Sequence, residues 1–227
     1  MLRALIFDFD GLILDTETPL LASWREVFAH HQVPITEEAL IGLIELSREP
    51  EEAYRLLDAA SGVTLDRQRL RAARLAREAH LISEQAAMPG LVPLLGLARA
   101  AGLKTAVASS SSRTWITPQL ARLGLASSFD SIRCRDDVER VKPDPELYLA
   151  VLADLGLQGS EAVAFEDSPV GAEAARQAGL ACVAVPNLTT ADLTWGPVAL
   201  TVPSLAAVTL DQLAALVRHM EDEPRGV

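Results

Sequence analysis

Leu5, Ile6 and Phe7 form a short apolar run that leads straight into Asp8-Phe9-Asp10-Gly11. Such a run reads as a strand buried on both faces, which needs further strands beside it and helices covering it. Side chains two apart on an extended chain point the same way, so Asp8 and Asp10 project together from the carboxyl end of that strand. Two carboxylates so placed repel, and burying them is costly unless a cation or a proton compensates. Gly11 lets the backbone turn sharply away just beyond them. The plain alternative is a pair of solvated aspartates in a strand-to-loop turn.

The neighbours that this strand needs come much later in the chain. Thr105 to Ala108 and Ala162 to Phe165 are buried apolar runs, Ala181 to Val185 is another, and Phe129 to Cys134 is a weaker one. Helical patterns separate them: Leu91 to Ala101 closed by Gly102, Trp115 to Leu123 closed by Gly124, a helix capped by Asp144 with Pro145 at its first position, and Val170 to Gln177 closed by Gly179. Thr209 and Gln212 form a capping-box pattern at the head of a last helix, Leu210 to His219. Strands alternating with helices predict an α/β fold, a parallel sheet covered on both faces.

Between the first strand and Met88-Pro-Gly90 the alternation stops. Thr18 is predicted to cap a helix with Pro19 at its first position, followed by Leu20, Leu21, Trp24, Val27 and Phe28 at helical spacing. His30 and His31 fall at its end and read as surface residues. Thr36 to Leu46 and Pro50 to Leu57 predict two more helices. Asp66 caps a longer one running to Ser83, whose arginines read as a solvated face. The block is read as an α-helical cap domain, residues 16–87, inserted into an α/β core made of residues 1–15 and 88–227.

With 227 residues, 49% of them apolar, the chain can build a sizeable core without metal or disulfide staples. Its two cysteines, Cys134 and Cys182, lie in apolar contexts and read as buried thiols of a cytoplasmic protein. No leader pattern precedes the first strand, and no apolar stretch is long enough to span a bilayer. A formal net charge of -11 disfavours nucleic acid and anionic membranes as partners. An anionic substrate would then need cations at the site itself. A monomer is expected.

Ligands of open α/β sheets bind outside the carboxyl ends of the strands. Asp8 and Asp10, Ser109 of the run Ser109-Ser-Ser-Ser112, and Glu166-Asp167 all stand there, with Lys142 in the loop Val141-Lys-Pro-Asp-Pro145. Carboxylates alone would be unstable together. Mg²⁺ and an anionic substrate would resolve the charge, with Lys142 as a fixed positive charge and serine hydroxyls donating to phosphate oxygens.

These stretches resemble the haloacid dehalogenase superfamily of phosphohydrolases, in the branch with a helical cap after the first strand. The likeness rests on Phe7-Asp-Phe-Asp-Gly11, the strand ending at Ser109, Lys142-Pro143 and Glu166-Asp167-Ser168, in that order. It implies a doubly wound parallel sheet. It implies Asp8 as the nucleophile that becomes an aspartyl phosphate, and Asp10 as the acid that protonates the leaving oxygen and then activates water. It implies Mg²⁺ held by Asp8, the Asp10 carbonyl, Asp167 and Glu166, with Lys142 and Ser109 serving the reaction. Dehalogenating relatives lack the second aspartate, so Asp10 points to phosphoryl transfer.

The stretch after Gly11 is similar to the branch holding sugar-phosphate phosphatases, phosphoglycolate phosphatase and β-phosphoglucomutase. The mutase pattern has a histidine early in the first cap helix, where this chain reads Pro19-Leu-Leu-Ala22. The expectation is therefore a phosphatase for a small phosphorylated metabolite, with Glu17, Arg48, Ser110 and Arg113 as candidate substrate contacts. The alternatives are a phosphomutase of the β-phosphoglucomutase kind, or a domain that binds phosphate and Mg²⁺ without turnover.

Overall fold

The computed structural model describes residues 1–46, 50–62 and 64–222. The chain divides into two compact units, Met1–Leu14 with Ala86–Val227, and Asp15–Gln85.

The first unit is built on a six-stranded sheet, all of whose strand pairs are parallel. β1 (Ala4–Phe7) lies between β2 (Lys104–Ala108) and β4 (Ala162–Glu166); β3 (Ser131–Arg133) lies outside β2, and β5 (Ala181–Ala184) and β6 (Leu200–Thr201) outside β4. All four residues of β1 are fully buried, as a strand covered on both faces must be. Phe7 is level with Val107 and Phe165, and its ring stacks on that of Phe165 at 4.9 Å between centroids. The sheet is thus in the predicted class, α/β and doubly wound. β6 was not foreseen, because a two-residue edge strand carries no readable alternation.

Helices α5 (Leu91–Ala100), α6 (Arg113–Arg122), α7 (Glu146–Leu155), α8 (Pro169–Gln177) and α9 (Leu210–Asp222) belong to this unit. The core on one face joins Ile6, Ala108 and Ala164 to Leu147, Tyr148 and Val151 of α7 and to Ala172 and Ala175 of α8. Thr209 and Gln212 exchange reciprocal hydrogen bonds at the head of α9, the predicted capping box. At α7 the reading shifts by one residue: Pro145 is the cap position rather than the first helical one, and the Asp144 side chain accepts from the Glu146 amide at 3.1 Å. Cys134 and Cys182 are buried and free, as expected.

The second unit holds α1 (Glu17–His30), α2 (Glu37–Leu46), α3 (Glu51–Ser61) and α4 (Arg67–Ser83) around its own core of Leu20, Leu21, Trp24, Phe28, Tyr54 and Leu57. Asp66 caps α4, accepting from the Arg69 amide. Two expectations are corrected. The first turn of α1 is held by Asp15, not Thr18: the Asp15 carboxylate accepts from the amides of Glu17 and Thr18 at 3.1 and 2.9 Å. The arginines of α4 are not all solvated. Arg74 is 2% exposed, lies over the Trp24 ring, and bonds Ser23 and Glu78, which compensates its buried charge.

Candidate active site

The level register of β1, β2 and β4 brings three strand ends to one edge of the sheet. Asp8 follows β1, Ser109 follows β2, and β4 ends on Glu166 with Asp167 next. Asp8, Glu166 and Asp167 gather there, each offering a carboxylate oxygen, and those oxygens lie within 4.8 Å of one another.

Lys142 stands between two of them. Its ammonium is 2.5 Å from Asp8 Oδ1 and 2.7 Å from Glu166 Oε1, with the lysine side chain 5% exposed. Burial by itself pushes the lysine toward neutrality, but the Asp8 and Glu166 carboxylates outweigh it and hold it charged, above the ordinary lysine range. Glu166 is fully buried, and burial raises its pKa while Lys142 pulls it back down. The Tyr148 hydroxyl of α7 donates to the same Oε1. The other oxygen, Oε2, is buried without a hydrogen-bond partner among the described residues. It rests against the first turn of α8, where a Cβ on Gly171 would come within 1.9 Å of it.

Asp10 is engaged elsewhere. Its Oδ2 accepts from the Ser111 hydroxyl at 2.5 Å and its Oδ1 from the Trp115 indole N–H at 2.8 Å. Ser109 is 1% exposed, and its hydroxyl accepts from the Ser111 amide, shaping the loop that brings Ser111 to Asp10. Ser110 lies between them in the same loop. Asp167 Oδ2 accepts from Asn187 Nδ2 at 2.7 Å. Gly11, at a φ of +77°, passes so close that a Cβ there would sit 2.0 Å from the same oxygen. No larger residue could take that position.

The other sequence candidates are Arg113, Glu17 and Arg48. The Arg113 guanidinium bonds Asp137 Oδ2 at 2.5 Å and the Ile132 carbonyl at 3.2 Å. Glu17 heads α1 and accepts from the Thr16 hydroxyl at 3.1 Å. Arg48 lies outside the described residues. Four partners were not read from the sequence: Ser111, Trp115, Tyr148 and Asn187. Each lies on a loop or helix beyond the strand ends, and only the folded chain shows which carboxylate it meets.

A set of carboxylate oxygens facing one lysine leaves net negative charge in a largely buried place. Hard oxygen donors of this kind suit a hard divalent cation, and the glycine at position 11 keeps the space beside Asp167 clear. The family described as haloacid dehalogenase-like hydrolase matches residues 5–185. This chain belongs to that family.

Several known proteins match over most of their length. YhcW of Bacillus subtilis is 37% identical over 98% of this chain and 100% of its own. A phosphorylated carbohydrates phosphatase of Thermotoga maritima is 32% identical over 79% of this chain and 82% of its own. The crystal structure of CbbY from Rhodobacter sphaeroides in complex with phosphate superimposes with a TM-score of 0.68 at 28% identity, covering 94% of this chain and 100% of that one.

Proposed function

We propose that this haloacid dehalogenase-like hydrolase is a Mg²⁺-dependent phosphatase for a small phosphorylated metabolite, a sugar phosphate before others, and that it works through an aspartyl phosphate on Asp8. The observation that carries the reading is Lys142 clamped between Asp8 and Glu166 beside Asp167, at the carboxyl edge of the sheet. The Thermotoga relative's name and the phosphate in the CbbY structure support the substrate class.

In this reading Lys142 orients Asp8 and offsets its negative charge. Asp8 attacks phosphorus: its oxygen–phosphorus bond forms as the bond from phosphorus to the sugar oxygen breaks, and Asp10 gives that oxygen a proton. Water then attacks the phosphoryl group, Asp10 takes its proton, and the Asp8 oxygen–phosphorus bond breaks to release inorganic phosphate. Asp8, Asp167 and the Asp10 carbonyl would hold Mg²⁺, which when bound offsets the repulsion between a carboxylate and a phosphate dianion. Glu166 is assigned to Lys142 rather than to the ion, because Lys142 and Tyr148 occupy its Oε1 and its Oε2 is turned against the first turn of α8. This departs from the sequence reading, which counted it among the ligands. Ser109 and Ser110 are assigned to the phosphate, through the loop they shape. Asp15–Gln85 is assigned the choice of the sugar part, with Glu17 as a candidate contact.

The test is phosphate release from a panel of phosphorylated metabolites, with Mg²⁺ or with EDTA, by the wild type and by Asp8→Asn. Release by the wild type with Mg²⁺, abolished by EDTA and lowered at least about a thousandfold by Asp8→Asn, is the expected result. Conversion of glucose 1-phosphate to glucose 6-phosphate would make the chain a mutase. Silence on every substrate, at every pH and metal tried, would make it a binding domain.

A further inference from the structure

Asn187 lies in the loop after β5 and belongs to no motif read from the sequence. Its Nδ2 donates to Asp167 Oδ2 at 2.7 Å. An amide can be turned either way, and turned over it would set oxygen against oxygen. Three donors fix its direction. Asn187 Oδ1 accepts from the Thr189 amide at 2.9 Å, the Thr189 hydroxyl at 2.9 Å and the Thr190 hydroxyl at 3.3 Å. The Thr190 hydroxyl in turn accepts from the Asn187 amide at 3.0 Å. Both threonines are buried, at 7% and 9% exposure, and the Trp195 indole N–H donates to the Thr190 carbonyl. The loop thus presents a donor whose orientation is already set.

Across from it, the Gly11 backbone closes the other side. A Cβ at Gly11 would sit 2.0 Å from Asp167 Oδ2 and 2.8 Å from Asn187 Nδ2. Asp167 Oδ2 is therefore held between a glycine and an amide, and the carboxylate cannot swing without losing that part-buried hydrogen bond. The donor is also neutral. A lysine or arginine there would orient the carboxylate equally well but would repel a cation and compete for the same charge.

We propose that Asn187 is a positioning residue for Asp167: held by Thr189 and Thr190, it sets the rotation of that carboxylate and through it the affinity of the site for a divalent cation. This rests on the reading of Asp167 as a ligand given above. It adds a determinant of metal affinity about twenty residues downstream of the ligand it serves.

The experiment is titration of the metal-free protein with Mg²⁺, and with Mn²⁺ followed by its spin-resonance signal, so that binding is read without turnover. The wild type, Asp167→Asn, Asn187→Leu and Thr189→Val are compared, with melting temperatures recorded in the absence of metal. Asn187→Leu is expected to bind both ions about 10- to 100-fold more weakly. Thr189→Val, which keeps the amide but removes one of its orienting donors, is expected to bind severalfold more weakly, and it carries the test if Asn187→Leu does not fold. The metal-free melting temperature should not account for the loss. Unchanged affinity in these variants, with Asp167→Asn defective, would overturn the role of Asn187 and leave the proposed function standing. Wild-type affinity in Asp167→Asn would remove Asp167 as a ligand and the inference with it.

Discussion

Lys142 keeps its charge in a nearly dry place because the Asp8 and Glu166 carboxylates face it. Asp10 is held by neutral donors instead. Ser111 and Trp115 donate to its two oxygens and fix its rotation. In the proposed reaction Asp10 passes a proton to the leaving oxygen, so its direction matters. Trp115→Phe removes one donor, and kcat is expected to fall about 10-fold with little change in KM. An unchanged kcat would show that the indole does not position Asp10. At this scale the sequence is legible only for groups that adjoin strands. Asp8, Asp10, Glu166 and Asp167 can be placed because the strand before each gives a direction. Trp115 and Asn187 cannot, because 105 and 20 residues of chain separate them from the carboxylates they hold.

Between elements, the contact of α7 with β3 shows how a sheet edge is secured. Asp154 of α7 accepts from Arg133 Nε at 2.7 Å and Nη2 at 2.5 Å, and from the Ser131 hydroxyl at 2.5 Å, both on β3. These bonds hold its carboxyl down to about 2, with Arg133 the largest cause and Ser131 next. A carboxyl held low stabilises the fold above the ordinary carboxylate range and loses that contribution as the pH falls toward about 2. Asp154→Asn is therefore expected to cost about 1 kcal/mol at neutral pH, a modest figure because the pair is partly exposed. The gap between variant and wild type should close as thermal melts are taken from about pH 5 down to about pH 2. Helix α7 was readable here because its apolar period is strong, whereas three-residue β3 gave only a weak signal. The start of α1 was misread because Thr18-Pro19 is a good capping signal, yet the donors of the first turn reach back to Asp15.

For the whole molecule, the alternation of buried runs and helices was sufficient to indicate a parallel sheet, since no other arrangement buries both faces of so many short strands. The order of those strands was not contained in the alternation. It depends on which crossovers pack back, and β1 proved to lie between strands that follow it by 97 and 155 residues in the chain. The net charge of -11 acts at this scale too. A phosphorylated substrate approaches against the field of the protein, and salt shortens that field from roughly 30 Å at 0.01 M to roughly 8 Å at 0.15 M. With free Mg²⁺ held constant, kcat/KM should rise across this range. A fall would mean that the cation and Lys142 dominate the approach.

The place of β1 has a further consequence. It is walled by β2 and β4 along its whole length and its side chains are sealed from water, so its amides should be among the last in the molecule to trade hydrogen for deuterium. Asp8, the proposed nucleophile, is anchored to the end of that ribbon. Local breathing elsewhere can then admit and release small molecules without loosening its carboxylate.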